Sequence, residues 1–337
     1  MKYLFELSKE HRKIPTTEIT TLLQTEQIEH EIIESTSDVL IINSNNGKKI
    51  LTIAERLAYT YFLDELLFTS TIDIKSLKKK AEENKIKQLG TIAVKYRNRS
   101  EKINSREIIK AIADVYTEER EVDLDDTEIE IRLIISDEKI YVTIKKLKIN
   151  RIQYEQRKVQ NRPFFSPISL HPKLARYLVN ISGIRKGQTL LDPFVGTGGM
   201  ILEAGLIGVN VIGSDVEQKM IQGCKKTLDY YKVKHYDLFC SDIGEIDKKI
   251  PKKIDAVVTD MPYGKATTTK GEDMDILYDR TFKKISEILK NKSKAVIGLS
   301  NKKHIKQAEK YLKLNSLNEI RVHGSLTRYF PVFEKQP

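Results

Sequence analysis

From about Gln188 onward the chain alternates short apolar runs of strand type with stretches of helical period. The strand candidates are QTLLD (188–192), NVIGSD (210–215), YDLFCSD (236–242), IDAVVTD (254–260) and KAVIGLS (294–300). Helical stretches such as GGMILEAGLIG and VEQKMIQGCKKTLDYY fall between several of them. This alternation predicts βαβ units and a parallel, doubly wound sheet. In such a sheet the ligand lies beyond the carboxyl ends of the strands, so the aspartates that end four of these runs, Asp192, Asp215, Asp242 and Asp260, are expected to converge on one crevice. The C-terminal NEIRVHGSLTRYFPVFEK reads as one or two further strands, with Pro331 favouring an edge position.

The first half is patterned less regularly. Strand-like KYLFELS, EHEIIES and DVLIIN precede a helix-like run, ILTIAERLAYTYFLDELLF. Then come a helix (DIKSLKKKAEENK), a strand (TIAVKYRN), a helix (SREIIKAIADVY) and two strands, EIEIRLIIS and KIYVTIKKL. This is an α+β pattern without an internal repeat. The charged segment KINRIQYEQRKVQNRP between the halves has no clear apolar period and ends in proline, so it is expected to be a linker.

Length and composition narrow the class. The 337 residues suit two domains, and 40% hydrophobic content allows a core in each. Apolar runs such as AVIGL fall far short of the roughly 20 residues of a membrane span. The N-terminus carries no signal-peptide core, so a cytoplasmic protein is expected. Cys224 and Cys240 show no metal-ligand spacing; reduced thiols and no metal site are expected. The balance of 58 basic to 47 acidic residues, +11 overall, suits a polyanion such as nucleic acid, although a heat-adapted surface rich in lysine gives the same balance.

Two motifs carry chemistry. LLDPFVGTGGMILEAG puts a glycine-rich turn between a strand and a helix, where bare backbone can approach a ligand. Such turns also occur in dinucleotide dehydrogenases and P-loop proteins, but no G-K-[ST] follows and Asp192-Pro193-Phe194 is not the dehydrogenase pattern. Asp215, at the end of the next strand, is placed to accept both hydroxyls of a ribose. The second motif is TDMPYG. A nucleobase or amide amino group is a poor nucleophile because its lone pair is delocalised. A carboxylate at Asp260 and the adjacent backbone carbonyl can accept its two N–H bonds and ease loss of a proton. Pro262 fixes the backbone there, and Tyr263 offers a face on which an extruded base can stack.

In this order DPFVGTGGMILEA, GSDVE, CSD and DMPYG resemble the successive motifs of class I S-adenosylmethionine-dependent methyltransferases that act on exocyclic amino groups. The resemblance implies a doubly wound, mostly parallel, Rossmann-like α/β sheet. It also implies that Asp192, Phe194 and the turn Gly196, Thr197, Gly198 and Gly199 line the methionine moiety of S-adenosylmethionine. Asp215 would hold the ribose with Val216 beside the adenine, and Asp242 would meet the adenine amino group. Met261 departs from the usual Asp-Pro-Pro-Tyr, contributing a backbone carbonyl where the family commonly has proline.

Upstream, Lys95, Tyr96, Arg97 and Arg99, the helix from Ser105 and VDLDD resemble the THUMP domain of RNA-modifying enzymes. With RPFFSPISLHPKLARYLVN and GSLTRYFPVF, the whole chain resembles the archaeal tRNA methyltransferases that modify the 2-amino group of guanine 10. In that family the aromatic segment before the sheet, here Phe164, Phe165 and His171, packs near the cofactor. The implied organisation is a small α+β unit at 1–59, a THUMP domain at 60–147, a linker at 148–161 and a methyltransferase domain at 162–337. Lys95, Arg97, Arg99 and Arg106 are expected to contact tRNA, as are Lys75, Lys78, Lys79, Lys80, Arg151, Arg157 and Arg162. A monomer is expected. The alternatives are a guanine elsewhere in tRNA or in ribosomal RNA, a non-catalytic RNA-binding protein, and a dehydrogenase lacking its fingerprint.

Overall fold

The computed structural model describes residues 1–166, 169–250, 253–262, 272–323 and 326–336. The chain divides into two compact units, one of residues 1–16 and 27–150, the other of residues 17–26 and 151–337.

The first unit is built on a seven-stranded sheet of β1 (Lys2–Leu7), β2 (Glu31–Ser35), β3 (Val39–Asn43), β4 (Thr60–Ser70), β5 (Ile92–Asn98), β6 (Ile129–Ile135) and β7 (Ile140–Lys148). Their order is β2-β3-β1-β4-β7-β6-β5, antiparallel throughout except for the β5–β6 pair. Helices α1 (Ile14–Thr25), α2 (Gly47–Ala54), α3 (Ile74–Glu83) and α4 (Arg106–Tyr116) fall between the strands, the last nine residues of α1 grouping with the second unit. Asp73 caps α3 by accepting from the Ser76 N–H at 2.6 Å. Leu77, Ile108, Ile112 and Val115 of α3 and α4 share a core with Ile131, Leu133 and Val142 of the sheet.

Two expectations fail here. The run 50–68 is not one helix: α2 stops at Ala54, and YFLDELLF belongs to the eleven-residue strand β4. Register shifts at Leu63/Asp64 and Leu66/Phe68 break the strict alternation of β4 against β7, and this irregularity imitates a helical period. Helix α1 was not foreseen, its IPTTEITTLLQT being rich in β-branched residues. The sheet also buries charge. Arg132 donates to Asp64 at 2.6 Å and to Glu6, while Arg99 reaches the other Glu6 oxygen at 2.5 Å. Burial pushes the Asp64 carboxyl up to about 7, with Arg132 opposing it.

The second unit contains α5 (Ile152–Gln156), α6 (Pro172–Ile181), β8 (Thr189–Asp192), α7 (Gly199–Gly205), β9 (Asn210–Asp215), α8 (Gln218–Tyr230), β10 (Tyr236–Cys240), β11 (Ile254–Asp260), α9 (Met274–Ile288), β12 (Leu289–Gly298), α10 (Lys303–Ala308), β13 (Lys313–His323) and β14 (Leu326–Glu334). The strand order is β10-β9-β8-β11-β12-β14-β13, with the first five parallel to one another and β14 antiparallel to both of its neighbours, β12 and β13. Buried apolar runs in β8, β9, β11 and the second half of β12 fit a sheet covered on both faces. Leu277, Phe282 and Ile285 of α9 pack with Leu191, Val257, Ala295 and Ile297.

Pro331 is not on an edge. It lies in β14, between β12 and β13, and is tolerated because the β12–β14 ladder lapses between the Val296–Val332 pair and the Leu299–Tyr329 bridge. The segment expected to be a plain linker instead carries α5, with Tyr154 fully buried and Arg157 donating to the buried Glu203 at 2.8 and 3.0 Å.

Candidate active site

Neighbouring strands β9, β8 and β11 end in Asp215, Asp192 and Asp260 at the carboxyl edge of the parallel sheet, with Asp242 just past β10. Asp192 is 2% exposed, and its Oδ1 accepts from the Thr259 hydroxyl at 2.6 Å and the Phe194 N–H at 3.2 Å. Burial pushes its carboxyl up to about 7, and the nearby Asp260 and Asp215 charges act in the same direction against those hydrogen bonds.

The turn after β8 is shaped by glycine. Gly196 and Gly198 hold φ of +49° and +82°, and a Cβ on Gly198 would fall 2.6 Å from Cys224 Sγ. Asp215 ties the turn down by accepting from the Gly196 N–H at 3.0 Å through one oxygen and from the Glu217 N–H at 2.9 Å through the other. Val216 beside it is half-buried, and burial raises the Asp215 pKa.

The segment before the sheet meets this turn through a 2.8 Å hydrogen bond between the hydroxyls of Ser169 and Thr197. Phe164 occupies the space a side chain on Gly223 would need, whereas Phe165 is 53% exposed. Phe194 packs against the core. His171 caps α6 by accepting from the Lys173 N–H at 3.1 Å.

Arg162, expected among the RNA contacts, is buried here. Its Nε donates to the Arg157 carbonyl at 2.9 Å, and its two terminal nitrogens have no acceptor among the described residues. One of them lies 3.3 Å from where a Cβ on Gly199 would stand. Burial lowers the pKa of this guanidinium.

Asp242 is not a bare acceptor. Arg280 grips both of its oxygens, at 2.5 and 2.8 Å, and also donates to Glu272 at 2.7 and 2.6 Å. The Gly244 N–H adds a 2.8 Å bond to the same carboxylate.

At the end of β11, Asp260 Oδ1 accepts from Arg328 of β14. The Asp260 side chain remains 23% exposed while that of Arg328 is 2% exposed. Burial raises the Asp260 pKa and the guanidinium opposes it. Met261 explains its own departure from proline: its N–H donates to the Gly298 carbonyl at 3.0 Å, which a proline cannot do, and its side chain is fully buried. The Pro262 carbonyl is held by the Tyr278 hydroxyl at 2.7 Å. Tyr263 lies outside the described residues.

The expected RNA contacts separate into two groups. Lys95, Arg97 and Arg106 are exposed, as is Tyr96 between the first two, and Lys95 lies 3.3 Å from Glu130. Arg99 is not on that surface; its side chain is 5% exposed and bound to Glu6. Arg157 is likewise committed to Glu203, and Lys80 donates to the Thr69 carbonyl at 2.7 Å. Arg328, Arg280 and the buried pairing of Arg157 were missed from the sequence. The available signal for Arg328 was an arginine in phase with Phe330 and Val332 in an otherwise apolar strand.

No described helix is long and apolar enough to cross a membrane. Among the described residues no group of three or more histidine, cysteine, aspartate or glutamate side chains is placed to hold a metal ion.

Comparison with known proteins gives concordant results for both units. Residues 69–145 match the THUMP domain model and residues 160–329 match the RMKL-like methyltransferase domain model. A tRNA (guanine(10)-N2)-dimethyltransferase of Methanothermobacter thermautotrophicus is 31% identical over 99% of this chain and 100% of that protein. One from Methanocaldococcus jannaschii is 26% identical over 98% and 99%. Among solved structures, TrmN from Thermus thermophilus superposes with a TM-score of 0.59 at 16% identity, covering 99% of this chain and 100% of that one, a likeness of fold.

Proposed function

The chain belongs to the THUMP-containing, S-adenosylmethionine-dependent tRNA guanine N2-methyltransferases, and from that membership we propose that it dimethylates guanine 10 of tRNA with Asp260 orienting the acceptor nitrogen. The reaction class is transfer of a methyl group to the exocyclic 2-amino group of a guanine in tRNA. Position 10 and the second methyl group are carried by the names of the full-length relatives.

The observation that carries the role of Asp260 is its setting. The carboxylate stands beside Asp192 at the carboxyl edge of the sheet, with one oxygen fixed by Arg328 and part of the side chain open. The guanine amino nitrogen is weakly nucleophilic, and attack requires its lone pair to be freed from the ring and aimed. A fixed carboxylate accepting an N–H does both, and takes up the proton the nitrogen sheds as its bond to carbon forms. Tyr263 is assigned the stacking face for the extruded base, with Pro262 setting the turn.

The residues present fit S-adenosylmethionine, which supplies an electrophilic methyl group when bound. Asp215 keeps lone pairs for two ribose hydroxyls beyond its two backbone bonds. The terminal nitrogens of Arg162, beside Gly199 and without an acceptor among the described residues, would hold the cofactor's carboxylate. Phe165, Phe194, Thr197 and Val216 line the remainder, and Asp242 serves the adenine while braced by Arg280.

In the division of labour proposed, residues 60–147 bind tRNA through Lys95, Arg97 and Arg106, and residues 162–337 perform the chemistry. Two free cysteines and a tRNA substrate support action in the cytoplasm. The test is nucleoside analysis of tRNA incubated with the protein and labelled cofactor. Label in N2,N2-dimethylguanosine at position 10 is expected. Label at another guanine favours the nearest alternative, and no transfer favours a binding protein.

A further inference from the structure

We propose that Arg328 is a positioning residue for methyl transfer, holding the Asp260 carboxylate charged and fixing which of its oxygens faces the acceptor amine. The proposal rests on the reading of Asp260 given above.

Three observations carry it. Arg328 stands on β14, separated from β11 in the sheet by β12, so its side chain must cross β12 to reach Asp260. The crossing is at Gly298, where a Cβ would overlap Asp260 Oδ1 and lie 3.0 Å from the Phe330 ring. Glycine on β12 thus opens the path along which the carboxylate meets the guanidinium. Second, Arg328 is buried in phase with Phe330 and Val332, where an apolar side chain would fill β14 without the desolvation cost of a guanidinium. Third, the carboxylate it meets ends the strand that carries the reactive motif.

The groups facing Asp260 from the elements packed around it give the ion pair a chemical purpose. Asp192 on β8 is a carboxyl whose own pKa burial and the Asp260 charge raise, and the Tyr278 hydroxyl of α9 is neutral, its pKa raised to about 12 by burial and by the Asp260 charge. Burial acts on Asp260 toward the protonated form, and the Arg328 guanidinium opposes it. A protonated Asp260 would accept an N–H poorly and could not take up the departing proton. With Oδ1 held by Arg328, Oδ2 is the oxygen left for the substrate.

The experiment is single-turnover methyl transfer against pH for Arg328→Met and Arg328→Lys. Affinities for tRNA and, by calorimetry, for S-adenosylhomocysteine are measured alongside. Arg328→Met is expected to be slower by about 10²-fold near neutral pH, with the acid limb moved upward by about one unit or more, and Arg328→Lys to regain at least about tenfold of the rate. Both affinities should stay within about twofold of the parent. Asp192 also has a raised pKa, but the Asp260 charge is one of its causes, so protonation of Asp260 would move Asp192 downward and an upward shift that depends on Arg328 reports Asp260. Should the methionine variant not fold, Arg328→Gln, neutral and still a donor, carries the same expectation for the limb.

An equal loss at every pH with the limb unmoved would overturn the proposal in favour of a scaffold role. A loss expressed as weaker tRNA or S-adenosylhomocysteine binding would overturn it in favour of a direct ligand contact. If Asp260→Ala is fully active, the underlying reading fails. If Asp260→Ala is inactive while the limb stays put in the Arg328 variants, only this proposal does.

Discussion

The hydroxyl of Thr259 donates to the carboxylate of Asp192 across neighbouring strands at 2.6 Å, joining the strand that leads into the glycine turn to the strand that ends in Asp260. The bond satisfies one oxygen of a carboxylate with almost no access to water. It does not abolish the cost of ionising that carboxylate, because burial still pushes Asp192 up to about 7.

That shift makes a prediction about the cofactor-free protein. A carboxyl whose folded pKa lies above its unfolded value contributes stability in full below the unfolded pKa, and loses it as pH rises through the folded one. For Asp192 the window runs from the ordinary 3.8 to about 7. Asp192→Asn can still accept from Thr259 and Phe194 but does not titrate. Its melting temperature should exceed the parent's near pH 8 by a margin that is smaller at pH 5 and closes only below about pH 3.8. Asp64, also raised to about 7, is present in both proteins and cancels in the difference. Thermal melts at the two pH values check this, and a constant difference would contradict it.

Asp215 bonds two backbone N–H groups of its own and is assigned two ribose hydroxyls. Each charge-assisted hydrogen bond is worth about 1.5–3 kcal/mol, so Asp215→Ala should weaken S-adenosylhomocysteine binding at least about tenfold by calorimetry. Unchanged affinity would move the ribose elsewhere.

Two neighbouring arginines of the first unit should behave differently. Exposed Arg97, on replacement by alanine, should lower tRNA affinity and flatten its log-log salt dependence by about 0.7 to 0.9 per lost phosphate contact, leaving the melting temperature alone. Arg99→Ala withdraws one partner from the buried Glu6 and should cost roughly 3 kcal/mol of stability. Filter binding and thermal denaturation on the same preparations separate the two effects. A destabilised Arg97 variant or a stable Arg99 variant would reverse the assignment.

The elements that the sequence made legible are those whose signal is local. Strands β9 and β11 fall on NVIGSD and IDAVVTD because buried parallel strands are short apolar runs ended by a polar residue, and the aspartates at their ends mark the crevice. β4 was misread because its bulges disrupt the two-residue period. The bracing arginines were invisible for a different reason: Arg328 lies 68 positions from Asp260 and Arg280 lies 38 from Asp242, and no local pattern encodes a pairing made only when strands and helices assemble. Arg99 looked like a surface residue from its basic neighbours. Its burial follows from Glu6, on a strand 93 positions away.

The carboxylate at the end of β11 is the group on which methyl transfer is proposed to depend, and the most direct measurement is single-turnover methyl transfer to tRNA by Asp260→Ala and Asp260→Asn. The alanine variant should keep its cofactor affinity and most of its tRNA affinity and lose about 10²-fold or more in rate. The asparagine variant retains a side-chain oxygen and should fall between alanine and the parent if orientation dominates, or match alanine if the negative charge is required. Full activity in the alanine variant would contradict the account.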